Sequence, residues 1–315
     1  MEVVVNIALP FFALIFTGYG AGRTRLMGGN TIVGLNAFVF YFALPALLIV
    51  KVSEAPTASS HAAHLIGAYY SGGLLLYGLT FLAGRVLFRG SAAVGALQGL
   101  AATYSNVGFV GLPLVIAAFG SNAALPAVLI VICDTVFMLG LTTAIIEADI
   151  GRGGSAWTVV RTVTYGLVRN PIIVASLIGL ALNVSHIRLA GPLLSYGELL
   201  ANAAGPCALF ALGATLAGRP IREGVVETGF LSALKLLVHP LLVAAAALLV
   251  FHLPPLWAAV AIVQSSLPTA ANVYVLAQRY QIHAGQISTT ILVSTLFAVV
   301  TVSLVLPWLY HGLPR

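Results

Sequence analysis

The chain alternates long apolar runs with short polar or glycine-bearing breaks. A helix needs about 20 apolar residues to cross a bilayer. Windows of that length predict ten spans, over residues 4–22, 32–50, 64–87, 93–118, 124–146, 166–184, 192–217, 229–251, 256–277 and 286–309. Barrel strands would read as short alternating segments, and none is seen. The connections are short except from Glu147 to Arg161, which is polar and glycine-bearing and lies near the midpoint. The organisation predicted is a first half over residues 1–150, a linker over 151–165 and a second half over 166–315, with five spans in each half. The fold class is thus an all-α polytopic membrane protein.

Two of the runs contain residues that a continuous helix would avoid. They are Tyr104-Ser-Asn-Val-Gly-Phe-Val-Gly-Leu-Pro113 in span 4 and Leu267-Pro-Thr-Ala-Ala-Asn272 in span 9. An interrupted helix in lipid exposes backbone polar groups, so it survives only where it lines a cavity or is buried in protein. An odd number of spans per half makes the second half enter upside down. Paired broken helices in inverted halves predict a transporter with a binding site near the midplane. Spans 2 and 7 also share asparagine followed by proline, Asn36 with Pro45 and Asn202 with Pro206, while spans 5 and 10 read as uninterrupted.

Composition supports the membrane reading. Apolar residues make up 60% and charged residues 7%, where a soluble domain carries about a quarter charged. The net charge of +6 comes from basic residues that stand singly in loops, a topology signal rather than a nucleic-acid patch. Loops after odd-numbered spans carry ten of them and the opposite side three, with Lys235 inside a span left out. That asymmetry predicts both termini outside and the linker in the cytoplasm, in the inner membrane if the cell is bacterial. The apolar N-terminus without a basic n-region reads as the first span rather than a cleaved signal. Cys133 and Cys207 fall inside spans and read as small packing residues.

Three stretches resemble the auxin efflux carrier family, including its bacterial members described as malonate or dicarboxylate transporters. They are Phe40-Tyr-Phe-Ala-Leu-Pro-Ala-Leu-Leu48, Asn106-Val-Gly-Phe-Val-Gly-Leu-Pro-Leu114 and Pro268-Thr-Ala-Ala-Asn-Val-Tyr-Val-Leu-Ala277. The resemblance covers the whole chain, and the third stretch is its most specific part. It implies the fold shared with bile-acid/sodium symporters. A scaffold domain would comprise spans 1, 2, 6 and 7, and a transport domain spans 3–5 and 8–10. Spans 4 and 9 would cross at their breaks, substrate would bind beside the crossing, and the transport domain would move as an elevator. A homodimer through the scaffold is also implied. The long cytoplasmic loop of plant members is missing here.

The candidate substrate contacts are Tyr104, Asn106, Gly108, Pro113, Pro268, Thr269, Asn272 and Tyr274. Amides beside a break can donate to an anion, and half-helix N-termini add positive partial charge. The alternative for the amides is to satisfy the broken backbone, and for the aromatics simple packing. Prolines 113 and 268 remove backbone donors and are expected to open their helices. Asp134 is the carboxylate well inside a span, and it needs a partner, water or a proton. Lys235 and His239 lie four apart, on one helix face. With Asp134 they could carry a coupling proton, or form a static buried pair joining span 5 to span 8. A weak sodium site built from neutral oxygens is the other coupling candidate, using Ser105, Gln264, Ser265, Ser266 and Thr269.

No P-loop, zinc-spacing or nucleophile-elbow pattern occurs, so neither an enzyme nor a cofactor is predicted. The reading is a secondary transporter of small organic anions in the lipid bilayer. An uncoupled facilitator, an aromatic-acid carrier, a sodium symporter and a membrane sensor are the alternatives.

Overall fold

A computed structural model describes residues 9–55, 61–150, 164, 168–217 and 224–312. The predicted linker over 151–165 lies outside the described residues apart from Thr164. So do Arg152, Arg161, Arg219, Arg222 and Arg315 of the charge pattern.

The described elements are helical. In chain order they are α1 (Leu9–Arg23), α2 (Gly29–Ser53), α3 (Ala62–Val86), α4 (Ala92–Thr103), α5 (Val107–Phe119), α6 (Ser121–Asp149), α7 (Pro171–Val184), α8 (Gly191–Ala217), α9 (Val225–Val250), α10 (Pro255–Ser265), α11 (Ala271–Tyr280) and α12 (Ala284–Gly312). Helices α2, α3, α6, α8, α9 and α12 are long and apolar enough to cross a membrane. Helices α4, α5, α7 and α10 are shorter apolar helices. Large apolar side chains such as Leu79, Val86, Leu199 and Val226 are exposed on the helix exteriors, as lipid-facing residues would be.

Two sets of helices pack most closely among themselves. In one, α1 lies along α8, and α2 packs on α7 and α8. The approach of α1 to α8 depends on glycine. A methyl at Gly18 would run into the carbonyl of Phe210, and one at Gly213 into that of Ile15, so small residues let the two backbones touch. In the other set α3 packs on α4, α6 and α9, and α12 packs on α9 and α11.

Prolines are accommodated in two ways. Pro45, Pro113 and Pro240 each stand two residues after a five-residue π-turn, over Val39–Ala43, Val107–Gly111 and Leu234–Val238. A proline ring clashes with the carbonyl four residues back and leaves it without a donor. The wider turn moves the ladder to a five-residue spacing, as in the bond from Leu112 N–H to Val107 O. Pro113 therefore does not open its helix, contrary to the expectation above. The break lies earlier, at Tyr104–Asn106. Pro268 does stand in a non-helical stretch, between Ser266 and Ala270. The expected span 166–184 is itself interrupted. Asn170 is extended (φ −80°, ψ 111°) and Pro171 starts α7, because a residue before proline avoids the α region.

Candidate functional site

The two breaks meet. Tyr104 is extended at the end of α4, and Ser105 forms an antiparallel bridge with Thr269. Asn106 N–H donates to Pro268 O at 2.8 Å, and Ala270 N–H donates to Tyr104 O at 3.1 Å. Thr269 Oγ1 donates to Ala101 O at 2.7 Å, and its N–H donates to Ser294 Oγ at 3.2 Å. Backbone groups freed by one break are thus satisfied largely by the other, as burial requires. Thr269 and Pro268 thus take part in the crossing itself.

Beside the crossing lies a cavity of about 110 Å³. Three helix N-termini reach its wall: α5 through Asn106, Val107 and Gly108, α7 through Asn170 and Ile172, and α11 through Ala271 and Asn272. First-turn N–H groups have no intrahelical acceptor and carry positive partial charge. Asn170 Oδ1 caps α7 by accepting from Ile172 N–H at 3.0 Å. The starts of α5 and α11 have no such side-chain cap. Asn106 is 7% exposed and lines the cavity. Tyr104 lines the cavity with its hydroxyl in hydrogen-bonding reach of Asn272 and Thr135. Phe40 of α2 and Phe109 of α5 form a near-parallel ring pair on the wall, centroids 6.4 Å apart. Among the described residues, no side chain lining the cavity is charged.

The sequence candidates therefore separate. Tyr104, Asn106, Gly108 and Asn272 line the cavity. Pro113 packs near Gly205, away from the cavity lining. Tyr274 points elsewhere, accepting from Gln278 Nε2 at 2.7 Å. Lining residues that the sequence did not put forward as substrate contacts include Asn36, Phe40, Thr135, Asn170, Ile172 and Thr215. For Asn170 the signal was present, because Asn before Pro at the start of an apolar run is a helix-start pattern. Asn36 donates to Thr215 Oγ1 at 3.1 Å across α2 and α8, a pairing that sequence spacing does not reveal.

A second polar cluster is buried behind the crossing. Asp134, at the start of a π-turn in α6, is 1% exposed. Its Oδ1 accepts from Tyr70 O–H at 2.8 Å, and its Oδ2 has no partner among the described residues. Lys235 and His239 are fully buried, with Lys235 Nζ 3.2 Å from His239 Nδ1. Lys235 Nζ also donates to Ser265 O at 2.6 Å, at the C-terminal end of α10, where carbonyls lack intrahelical donors. No direct Asp134–Lys235 ion pair occurs among the described residues. Tyr69 bridges toward the crossing, with its hydroxyl 3.4 Å from Ser105 Oγ and its ring edge-on to His239.

Of the neutral oxygens proposed for sodium, Ser265 and Ser266 both donate to Ile262 O. Gln264 is fully buried against Gly111, and neither of its amide atoms has a partner among the described residues.

The chain matches the family model described as "Membrane transport protein" over residues 3–306. It is 34% identical over 303 residues to a Rhizobium meliloti protein named "Putative malonate transporter", covering 96% of this chain and 95% of the relative. An "Uncharacterized transporter" of Methanothermobacter thermautotrophicus is 27% identical over 301 residues, covering 94% and 95%. The "Lysosomal cholesterol signaling protein" of Mus musculus is 30% identical over 251 residues, which is 74% of this chain but 28% of that protein. A family match across nearly the full length, joined to apolar helices that meet at two breaks, places this integral, multi-pass membrane protein in the membrane transport protein family, that of the auxin efflux carriers.

Proposed function

We propose that the protein is a secondary transporter of small organic anions, carboxylates such as malonate or malate, that works by an elevator mechanism. The observation that carries this reading is the convergence of three helix N-termini on one uncharged cavity. N–H groups and amides there bind a carboxylate through charge-assisted hydrogen bonds. No cationic side chain lines the cavity among the described residues, so a monovalent or divalent acid can be released again once the cavity opens. The substrate named for the Rhizobium meliloti relative is of this class.

The elevator reading rests on the packing sets. The set of α1, α2, α7 and α8 would be the scaffold and the remaining helices the moving body. Residues of both sets line the cavity: Asn36, Asn170 and Thr215 from the first, Asn106 and Asn272 from the second. A rigid-body shift would carry the crossing past a fixed wall, the motion expected of inverted-repeat carriers. The two halves would be those repeats, both chain ends would face the outside, and two copies would pair through the scaffold.

Proton coupling is assigned to Asp134, with Lys235 and His239 fixing the end of α10 beside it. An intramembrane carboxylate with one unpartnered oxygen is costly when charged, and a proton removes the cost. A second reading, sodium coupling, is favoured by the bare amide of Gln264.

The test is uptake of labelled malonate into proteoliposomes under imposed proton and sodium gradients in turn, with malate, succinate, pyruvate and indole-3-acetate as competitors. Uptake raised by the proton gradient and blocked by the small diacids supports the reading. Uptake driven by sodium alone replaces the coupling assignment. Block by indole-3-acetate alone replaces the substrate class with aromatic acids, for which the Phe40–Phe109 pair would be the ring contact.

A further inference from the structure

Tyr70 O–H lies 2.8 Å from Asp134 Oδ1 and 3.2 Å from the main-chain carbonyl of Ile130. A phenol has one proton to give, so it cannot serve both acceptors fully at once. Tyr70 and Asp134 are both buried, where a donor left unpaired is costly. We infer that Tyr70 is a two-position hydroxyl switch that lets Asp134 hold or release a proton inside the membrane. This rests on the coupling role proposed for Asp134.

The proton balance is simple. With Asp134 ionised, the Tyr70 hydroxyl donates to Oδ1. When a proton arrives on Asp134, the acid O–H donates to the Tyr70 oxygen. The Tyr70 proton then turns about its C–O bond to the Ile130 carbonyl. No covalent bond to carbon changes, and the hydroxyl has an acceptor in both states. Without the second acceptor, protonation would leave a buried donor unpaired, which burial penalises. Tyr70 is therefore a positioning residue for the coupling proton.

Other titratable groups surround the carboxyl. Tyr69 comes from α3, Cys133 from α6, Tyr104 from the end of α4 and Lys235 from α9. His239 stands behind Lys235. Lys235 is engaged by Ser265 O and His239, and Tyr69 by Ser105. Among the described residues, Tyr70 is the one of these side chains that hydrogen-bonds to Asp134.

The experiment is an infrared difference titration of the purified full chain, reading the protonated-carboxyl band that disappears in Asp134→Asn. Tyr70→Phe removes a donor that serves the charged form, so the band's midpoint should rise by about one pH unit or more. Incorporating 3-fluorotyrosine at position 70 makes a stronger donor without changing shape, so the midpoint should fall. Tyr69→Phe should leave it in place. Midpoints unmoved by both changes at position 70, or moved equally by Tyr69→Phe, overturn the assignment to Tyr70. Proton-driven uptake that survives Asp134→Asn would instead overturn the coupling role of Asp134, a separate failure read in proteoliposomes.

Discussion

At Asn106 the chain places a side-chain amide, on a residue nine-tenths buried, in the wall of the cavity. Such a group costs free energy unless a protein group, water or a ligand completes it. Asp134 poses the same question in charged form, with one oxygen bonded and one bare. The two residues predict different losses. Asp134→Asn should abolish the response of uptake to an imposed pH gradient while leaving exchange of labelled for unlabelled substrate. Counterflow assays read the second activity without the first. If pH-driven uptake and exchange both persist in Asp134→Asn, the proton assignment is wrong. Both residues were visible in the sequence, because polar side chains in apolar runs stand out. Tyr70 was not visible, because its role comes from a contact between helices 64 positions apart in the chain.

The elements owe their shape to prolines and glycines acting through geometry. The apolar helices and the two breaks were legible as apolar runs interrupted by Asn, Gly and Pro. The place of the first break was not. Pro113 looked like its cause, but the π-turn over Val107–Gly111 absorbs that proline, and the chain opens at Tyr104 instead. Local sequence does not say whether a proline will be absorbed by a wider turn or will end a helix, since tertiary partners for the freed groups decide it. Here the partner is the other break, through the Ser105–Thr269 bridge. At this scale Gly111 is a close-approach position. An added methyl would lie 2.8 Å from Leu267 Cδ1 and 2.9 Å from Gln264 Cδ. Gly111→Ala should therefore cost about 1–3 kcal/mol by overpacking, seen as a melting temperature lowered by several degrees. An unchanged melting curve would mean that α5 and α10 are not held this tightly.

Across the whole molecule, the proposed elevator motion requires the cavity to be a seam between two bodies. Phe40 and Phe109 sit on opposite sides of that seam, with parallel rings. In a chain with Cys133 and Cys207 replaced by serine, Phe40→Cys and Phe109→Cys can be joined by a short reducible cross-linker. Cross-linking should stop malonate uptake, and reduction should restore it, because the moving body would be tied to the scaffold. Full uptake by the cross-linked protein would exclude relative motion at this seam. The cavity was only partly legible in the sequence. Asn106 and Asn272 pointed to it, whereas Asn36 and Thr215 come from helices whose approach the sequence does not encode locally.

The most direct measurement is equilibrium binding of labelled malonate to the purified wild-type protein and to Asn106→Asp. The substitution keeps size but sets a negative charge at the α5 N-terminus, where the account seats a carboxylate. It predicts saturable binding by the wild type, displaced by malate, and a loss of at least about tenfold in affinity in Asn106→Asp at an unchanged melting temperature. Equal affinity in the two proteins, or no malonate binding by the wild type, would contradict the claim that this crossing is a carboxylate site.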